Sequence, residues 1–333
     1  MVARRASPHE HPSTAHRPVA PPRAAPARLE IPKDEKQVEL AVGDRTVKLT
    51  NLDKPFWPEE GITKRDLLQY YADVAPQLLP HVVDRPMTMK RYPNGAGGDF
   101  FFMKRAPRPR PTWLETCSVS HPSGNIIDYP LVQDLAALLW VVNLGCIDLN
   151  PAYGTCGDID HPDSLHFDLD PVPGATFETV LDAALLMRDA LESLHIPCFA
   201  KTTGSRGIHV YVPIEKGPSQ HEVWDFSKHF ARAVEKRAPE LVTTVYKVAA
   251  RPQGRVLIDF NQNAWGRTLA SVYSVRPRPR APVSMPVTWS EIERGLRIEQ
   301  FRLDNARVRL REKGDLWAPM VSSGHRLDLG RFT

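Results

Sequence analysis

Val38, Leu40 and Val42 alternate with polar residues, and Val47 and Leu49 resume the alternation beyond Gly43-Asp44. Period-two alternation on both sides of a turn-forming dipeptide predicts a β-hairpin. The pattern then changes to helical spacing. Thr63 and Asp66 form a near capping box ahead of Leu67, Leu68, Tyr71, Val74 and Leu78, which predicts a helix closed by Pro80. Three more helices are predicted: about Val132 to Leu144; about Phe177 to Leu194 between the Thr176 cap and Pro197; and one opening at Ser219 with Glu222 in the box position, turning Val223, Phe226, Phe230 and Val234 inward. Between them lie short alternating runs, Leu165 to Asp170, Ile208 to Val212, Val256 to Phe260 and Thr268 to Tyr273, which read as strands. Strands interleaved with helices imply an α/β (α+β) architecture of mixed sheets flanked by helices.

Composition adds boundaries. The chain has 333 residues, 42% of them hydrophobic and 25% charged, which excludes collagenous and wholly disordered classes. No apolar run of membrane-spanning length and no signal peptide is present, so no membrane partner and a cytoplasmic location are expected. Cys117, Cys146, Cys156 and Cys198 show no metal-ligand spacing and are expected to be free thiols; a zinc site from Cys156 with His161 or His166 fails on spacing. Residues 1–32 hold seven prolines and five arginines without an aromatic residue and read as a disordered tail. The remainder divides into a catalytic unit, 33–310, and an extension, 311–333.

The net charge of +4 conceals an uneven distribution. Lys90 to Arg110 carries six basic residues against Asp99, and Arg267 to Arg280 carries four arginines and no acid. Such local basic stretches suit a phosphate backbone.

The acids are placed with equal regularity. Strand periodicity puts Leu165, Phe167 and Leu169 on one face and His166, Asp168 and Asp170 on the other, the two acids about 7 Å apart at Cα. Like charges so close favour proton uptake unless a cation intervenes. Asp259, flanked by the inward Ile258 and Phe260, supplies a third carboxylate. Three hard oxygen donors suit Mg²⁺ or Mn²⁺ and two-metal phosphoryl transfer. Sugar transferases and plain solvated strands also carry Asp-x-Asp, so the pair alone leaves those readings open.

Lys201 to Val212 is a small polar turn running into a strand. Its backbone N–H groups, its hydroxyls and Arg206 are expected to cradle a triphosphate, with His209 on the polar face beside buried Ile208 and Val210. It matches neither a P-loop nor a nucleophile elbow. Phe100, Phe101 and Phe102 cannot all face one core from a strand, and one of the three is expected to be buried.

Taken in order, HFDLDP (166–171), TTGSRGIHVYVPI (202–214), LIDFNQ (257–262) and SVRPRPRAPVSMPVTW (274–289) resemble the archaeo-eukaryotic primase superfamily, specifically the polymerase domain of bacterial ligase D and its stand-alone primase-polymerase relatives. The likeness runs from Leu49 to about Leu296. It implies an RRM-like catalytic core, with Asp168, Asp170 and Asp259 binding metal and Thr203, Ser205, Arg206, His209 and Arg276 binding the incoming NTP or dNTP. It also implies that Lys54 and Lys64, in an amino-terminal end-binding lobe, grip the 5′-phosphate across a gap. Phe101 and Phe102 would stack on the template, and Lys104 and Arg105 would lie along DNA.

The resemblance implies a DNA-dependent primase-polymerase that fills short gaps in non-homologous end joining, with a preference for ribonucleotides. The implied partners are broken DNA, an ATP-dependent DNA ligase and Ku, beside the bacterial nucleoid. One departure is plain: Ile147-Asp148-Leu149-Asn150 stands where ligase D domains carry a histidine in an LELH-type run, so that histidine's contact is not transferred to Asn150 and the stand-alone branch is favoured. No KxDG motif is present, so sealing of nicks is not expected. The competing readings are a non-catalytic end-binding module that recruits a ligase, and a metal-dependent phosphoesterase or sugar transferase.

Overall fold

A computed structural model describes residues 28–332 except 122, 323 and 325. The tail reading therefore lies outside the described residues up to residue 27. Arg28 to Ile31 already belong to the folded body: Arg28 pairs with Asp73 at 2.6 Å, and the Ile31 N–H donates to Gln69. Both partners lie on the helix Lys64–Leu78, which carries the expected capping box between Thr63 and Asp66.

The hairpin forms as Val38–Val42 against Arg45–Leu49. The second helix is shorter than its apolar run, Leu135–Asn143, because Asp134 caps it and accepts from the Ala137 N–H. The other two span Phe177–Glu192 and Gln220–Arg237, each with the predicted cap.

Two sheets position the site. The larger has six strands in the spatial order Val242–Thr243, Val256–Asp259, Ser164–Pro171, Ile208–Pro213, Phe199–Thr202, Pro286–Val287. All neighbours are antiparallel except the first pair. Its apolar face, with Leu165, Phe167, Leu169, Ile208 and Val210 fully buried, packs against the helices Phe177–Glu192 and Gln220–Arg237. The smaller sheet orders Phe101–Met103, Met87–Arg91 and Cys146–Pro151.

Three sequence expectations need correction. Thr268 to Tyr273 is not a strand: Ser271 N–H donates to Leu149 O and Tyr273 N–H to Ser284 O, while Tyr273 adopts φ 61°. Pulled in two directions and bent through the left-handed region, the segment makes no continuous ladder. Cys117 and Cys156 form a disulfide, which pins the hairpin Thr116–Ser120/Ile126–Pro130 to the loop ahead of the acidic strand. Cys146 and Cys198 are buried free thiols. His161 pairs with Asp158, and His166 is buried with burial holding its pKa down to about 3, so neither shares a site with Cys156. None of the three phenylalanines is in the core; Phe100, Phe101 and Phe102 are 50%, 42% and 59% exposed.

The extension 311–333 is no appendage among its described residues. Trp317 packs edge-on to Tyr211, and Leu327 N–H donates to Pro213 O at 2.8 Å.

Candidate active site

Strand register gathers the site. Asp168 lies directly opposite Asp259 on one side and His209 on the other, and His209 lies opposite Lys201. Asp259, Asp168, His209 and Lys201 therefore form one row across four adjacent strands, all on the face away from the helices. The smaller sheet repeats the device, with Thr88 opposite Asn150, and Lys90 opposite both Asp148 and Phe102. These two polar faces enclose a cleft of about 450 Å³ lined by Asp168, Asp170, Thr203, Ser205, Arg206, His209 and Arg276 of the predicted set, with Phe102 and Lys104 at its rim.

The turn before His209 is built differently from its sequence reading. Thr203 Oγ1 accepts from the backbone N–H groups of Ser205, Arg206 and Gly207 at 3.1, 3.2 and 3.1 Å. Those N–H groups stabilise the turn and are not free for a triphosphate. That leaves the Ser205 hydroxyl, the Arg206 guanidinium and Arg276, whose Nη1 donates to Thr203 O at 2.6 Å, as the groups at this turn able to meet an anion. Two glycines permit this. Gly204 has φ +64°, and a Cβ on Gly207 would lie 2.3 Å from Leu169 O, so only glycine lets the turn close on the acidic strand.

Burial dominates the electrostatics. It raises Asp168 to about 6, and burial together with the Asp168 charge raises Asp170 to about 7. Asp259 is raised too, by burial first, although the Gln262 amide and the Asn261 N–H donate to it. Asp168 Oδ1, Asp148 Oδ1 and Arg276 Nε are buried without a hydrogen-bond partner. Asp168 Oδ1 has His209 Nε2 at 3.2 Å, a contact not aligned as a hydrogen bond, and Asp148 has the Arg276 Nε at 3.5 Å. Buried carboxylate oxygens of this kind call for a cation and the arginine for an anion. Among the described residues no three His, Cys, Asp or Glu side chains form a ready-made metal cage. The set therefore fits a hard cation that takes part of its shell from phosphate oxygens and water, the usual habit of Mg²⁺.

Other predicted residues lie outside the cleft lining. Lys54 donates to Asn94 Oδ1 at 3.2 Å; Lys64 is buried and donates to Thr50 O at 2.7 Å. The Lys64 N–H donates to Lys54 O, which joins the two segments. Burial, then the charges of Lys54 and Arg91, lowers Lys64 to about 8. Arg105 leans on the hairpin, 3.7 Å from Asp128. Phe101 faces Arg91, while Phe100 and Phe102 meet edge-to-face at 5.9 Å with Lys90 Nζ 4.0 Å from the Phe100 centroid. The aromatic pair beside the cleft is thus Phe100 and Phe102.

Sequence reasoning missed Lys201, Lys90 and Asp148 as site residues. Asp148 stands between inward Ile147 and Leu149, the same apolar-acid-apolar pattern that drew attention to Asp168. Lys201 could have been found from strand parity once His209 was placed.

A mixed sheet that places buried Asp168 and half-buried Asp170 in a cleft lined by arginines, with buried Asp259 on the neighbouring strand just outside the lining, suits metal-dependent nucleotidyl transfer. The family described as LigD, primase-polymerase domain, matches residues 63–317, and the chain belongs to it. It is 34% identical over 276 residues to the multifunctional non-homologous end joining protein LigD of Mycolicibacterium smegmatis, covering 82% of this chain and 36% of that protein. It is 28% identical over 270 residues to the bifunctional non-homologous end joining protein LigD of Bacillus subtilis, covering 80% of this chain and 43% of that protein. The chain thus spans well under half the length of these relatives. The polymerase domain of Mycobacterium tuberculosis ligase D, solved in complex with DNA, superposes with a TM-score of 0.78 at 31% identity, covering 83% of this chain and 98% of that one.

Proposed function

We propose that this chain is a DNA-dependent primase-polymerase that extends a 3′-hydroxyl across short gaps or broken ends in non-homologous end joining. The observation that carries this reading is the register row Asp259, Asp168, His209, of which Asp168 and His209 line one cleft together with Asp170, Arg206 and Arg276. Asp168, Asp170 and Asp259 would hold Mg²⁺ or Mn²⁺, which when bound lowers the pKa of the attacking hydroxyl and neutralises the leaving pyrophosphate. Ser205, Arg206, Arg276 and His209 hold the triphosphate, with the Thr203 side chain shaping the turn beneath it. Phe100 and Phe102, with Lys90 and Lys104, receive the template; Lys54 and Lys64 hold the 5′-phosphate beyond the gap. Ribonucleotides are the preferred substrate, an ATP-dependent DNA ligase and Ku the functional partners, and the cytoplasm at the bacterial nucleoid the place of action. Among the described residues no helix is long and apolar enough to cross a membrane.

A module that only held DNA ends would gain nothing from the buried carboxylates of Asp168 and Asp259, whose desolvation costs stability. The test is a single-gap filling assay comparing NTP with dNTP under Mg²⁺ and under Mn²⁺. Template-directed addition of one nucleotide per gap position is the expected result; template-independent hydrolysis or no addition with either metal would overturn the reading.

A further inference from the structure

Lys201 is fully buried, a rare position for lysine. Its ammonium nitrogen has three polar neighbours: Ala270 O at 3.0 Å, Ser284 Oγ at 2.8 Å and His209 Nδ1 at 2.7 Å. Two of these roles are fixed. A carbonyl oxygen only accepts. Ser284 Oγ spends its own proton on Thr202 O at 2.8 Å, so toward Lys201 it accepts as well. Burial and the Arg276 charge pull the Lys201 pKa well below the usual lysine value while Asp168 pulls it up; as the ammonium it has three donors and no lone pair, so the third proton goes to His209 Nδ1. The His209 ring proton must then sit on Nε2, the nitrogen 3.2 Å from Asp168 Oδ1. That contact is not aligned as a hydrogen bond, so the tautomer is set from the Lys201 side of the ring, with Nε2 on the side of the acid row. The register that puts Lys201, His209 and Asp168 on three adjacent strands makes this a built relay and not a chance approach.

We propose that Lys201 is a positioning residue that locks His209 in the Nε2–H tautomer and fixes its ring. His209 thereby presents an Nε2–H donor to the triphosphate in the cleft it lines, and is not a proton acceptor in the reaction. The lysine itself touches neither nucleotide nor metal. Which nitrogen of a histidine carries the proton is set by the partner of the other nitrogen. The idea rests on the polymerase reading for its consequence, but its first test does not.

The experiment is ¹⁵N NMR of the ring nitrogens of His209 in the full chain, assigned with His209→Gln. The expected spectrum shows Nε2 protonated and Nδ1 as a hydrogen-bonded acceptor; a proton on Nδ1 overturns the proposal whatever the chain catalyses. In Lys201→Met the ring is expected to populate both tautomers, and KM for the nucleotide to rise about 10- to 100-fold, the size of a lost hydrogen bond to a charged group, with a smaller fall in kcat. An unchanged tautomer in a folded Lys201→Met chain also overturns it. If that variant does not fold, the native spectrum still decides the tautomer, and Ser284→Ala, which leaves the ammonium and Ala270 O in place, is expected to keep the Nε2 proton while loosening the ring and raising KM less. Loss of the single tautomer in Ser284→Ala with an unchanged KM would overturn the link to nucleotide binding. Failure of the polymerase reading would appear differently, as the expected tautomer in a chain that extends no primer.

Discussion

Asp168 and Asp259 stand directly opposite each other on neighbouring antiparallel strands, with Asp170 two residues along the same face. Paired so closely, their charges are useful only to a bound cation, and that gives the simplest test of the site. In Asp168→Ala/Asp170→Ala the transition-state charge loses its support, and primer extension should fall by at least about 10²- to 10³-fold. Binding to a 5′-phosphorylated gap should be kept, because removing negative charge from a cleft that meets DNA does not weaken it. Primer extension and gel-shift titration on the same gapped duplex measure both; extension surviving the double change would sink the assignment.

The raised acids also set a pH dependence of stability. Burial lifts Asp168 to about 6 and Asp170, with the added effect of the Asp168 charge, to about 7. Both lie above the unfolded value of about 3.9, so the folded chain binds more protons than the unfolded chain between about pH 4 and pH 7. Stability from this source is present at low pH and is lost as pH rises through 6 and 7. In chelator, the melting temperature should therefore decline across that window relative to Asp168→Asn/Asp170→Asn, and Mg²⁺ or Mn²⁺ should restore more of it at pH 8 than at pH 5. Parallel melting curves for the two chains across the window would contradict the assigned shifts.

Much of this was legible in the sequence, and the failures have physical causes. Periodicity located the hairpin, the helices and the acidic strand because each has one apolar face to count. It failed at Thr268 to Tyr273, where alternation was present but the backbone hydrogen bonds go to Leu149 on one side and Ser284 on the other. Residue type located Asp168, His209 and Arg276, but not the use of the Thr203 hydroxyl, which takes up three backbone donors that a glycine-containing turn seemed to offer. Lys201 was invisible for a related reason: its role comes from cross-strand register with His209, which no single segment contains. The Cys117–Cys156 pairing likewise depends on how a hairpin lies against a loop 39 residues away.

The aromatic cluster separates two uses of consecutive phenylalanines. Phe100 and Phe102 share the face that carries Lys90, whereas Phe101 turns to the Arg91 guanidinium 5.3 Å away. Base stacking is worth about 1 to 3 kcal/mol per base. Phe102→Ala should accordingly weaken binding of a single-stranded template by about 5- to 100-fold, and Phe101→Ala by distinctly less. Fluorescence anisotropy with a labelled overhang compares them; equal losses would place the stacking surface on both faces of the strand.

The two amino-terminal lysines should part company when replaced. The Lys54 ammonium donates to exposed Asn94, while Lys64 is buried and holds Thr50 O. Their backbones are joined, and burial, then the charges of Lys54 and Arg91, lowers Lys64 to about 8. A cluster of like charges held at that cost is relieved by an anion, and a terminal phosphate is the anion a DNA gap offers. Lys54→Ala should remove about 10- to 100-fold of the preference for a 5′-phosphorylated over a 5′-hydroxyl gap, the effect of one charge-assisted hydrogen bond, with the melting temperature unchanged. Lys64→Ala should remove the preference and also lower the melting temperature, because the Thr50 carbonyl loses its donor. Adding phosphate or a 5′-phosphorylated oligonucleotide should raise the melting temperature of the native chain and not of either variant. A native chain that binds both gap ends equally well would remove Lys54 and Lys64 from the DNA-end site.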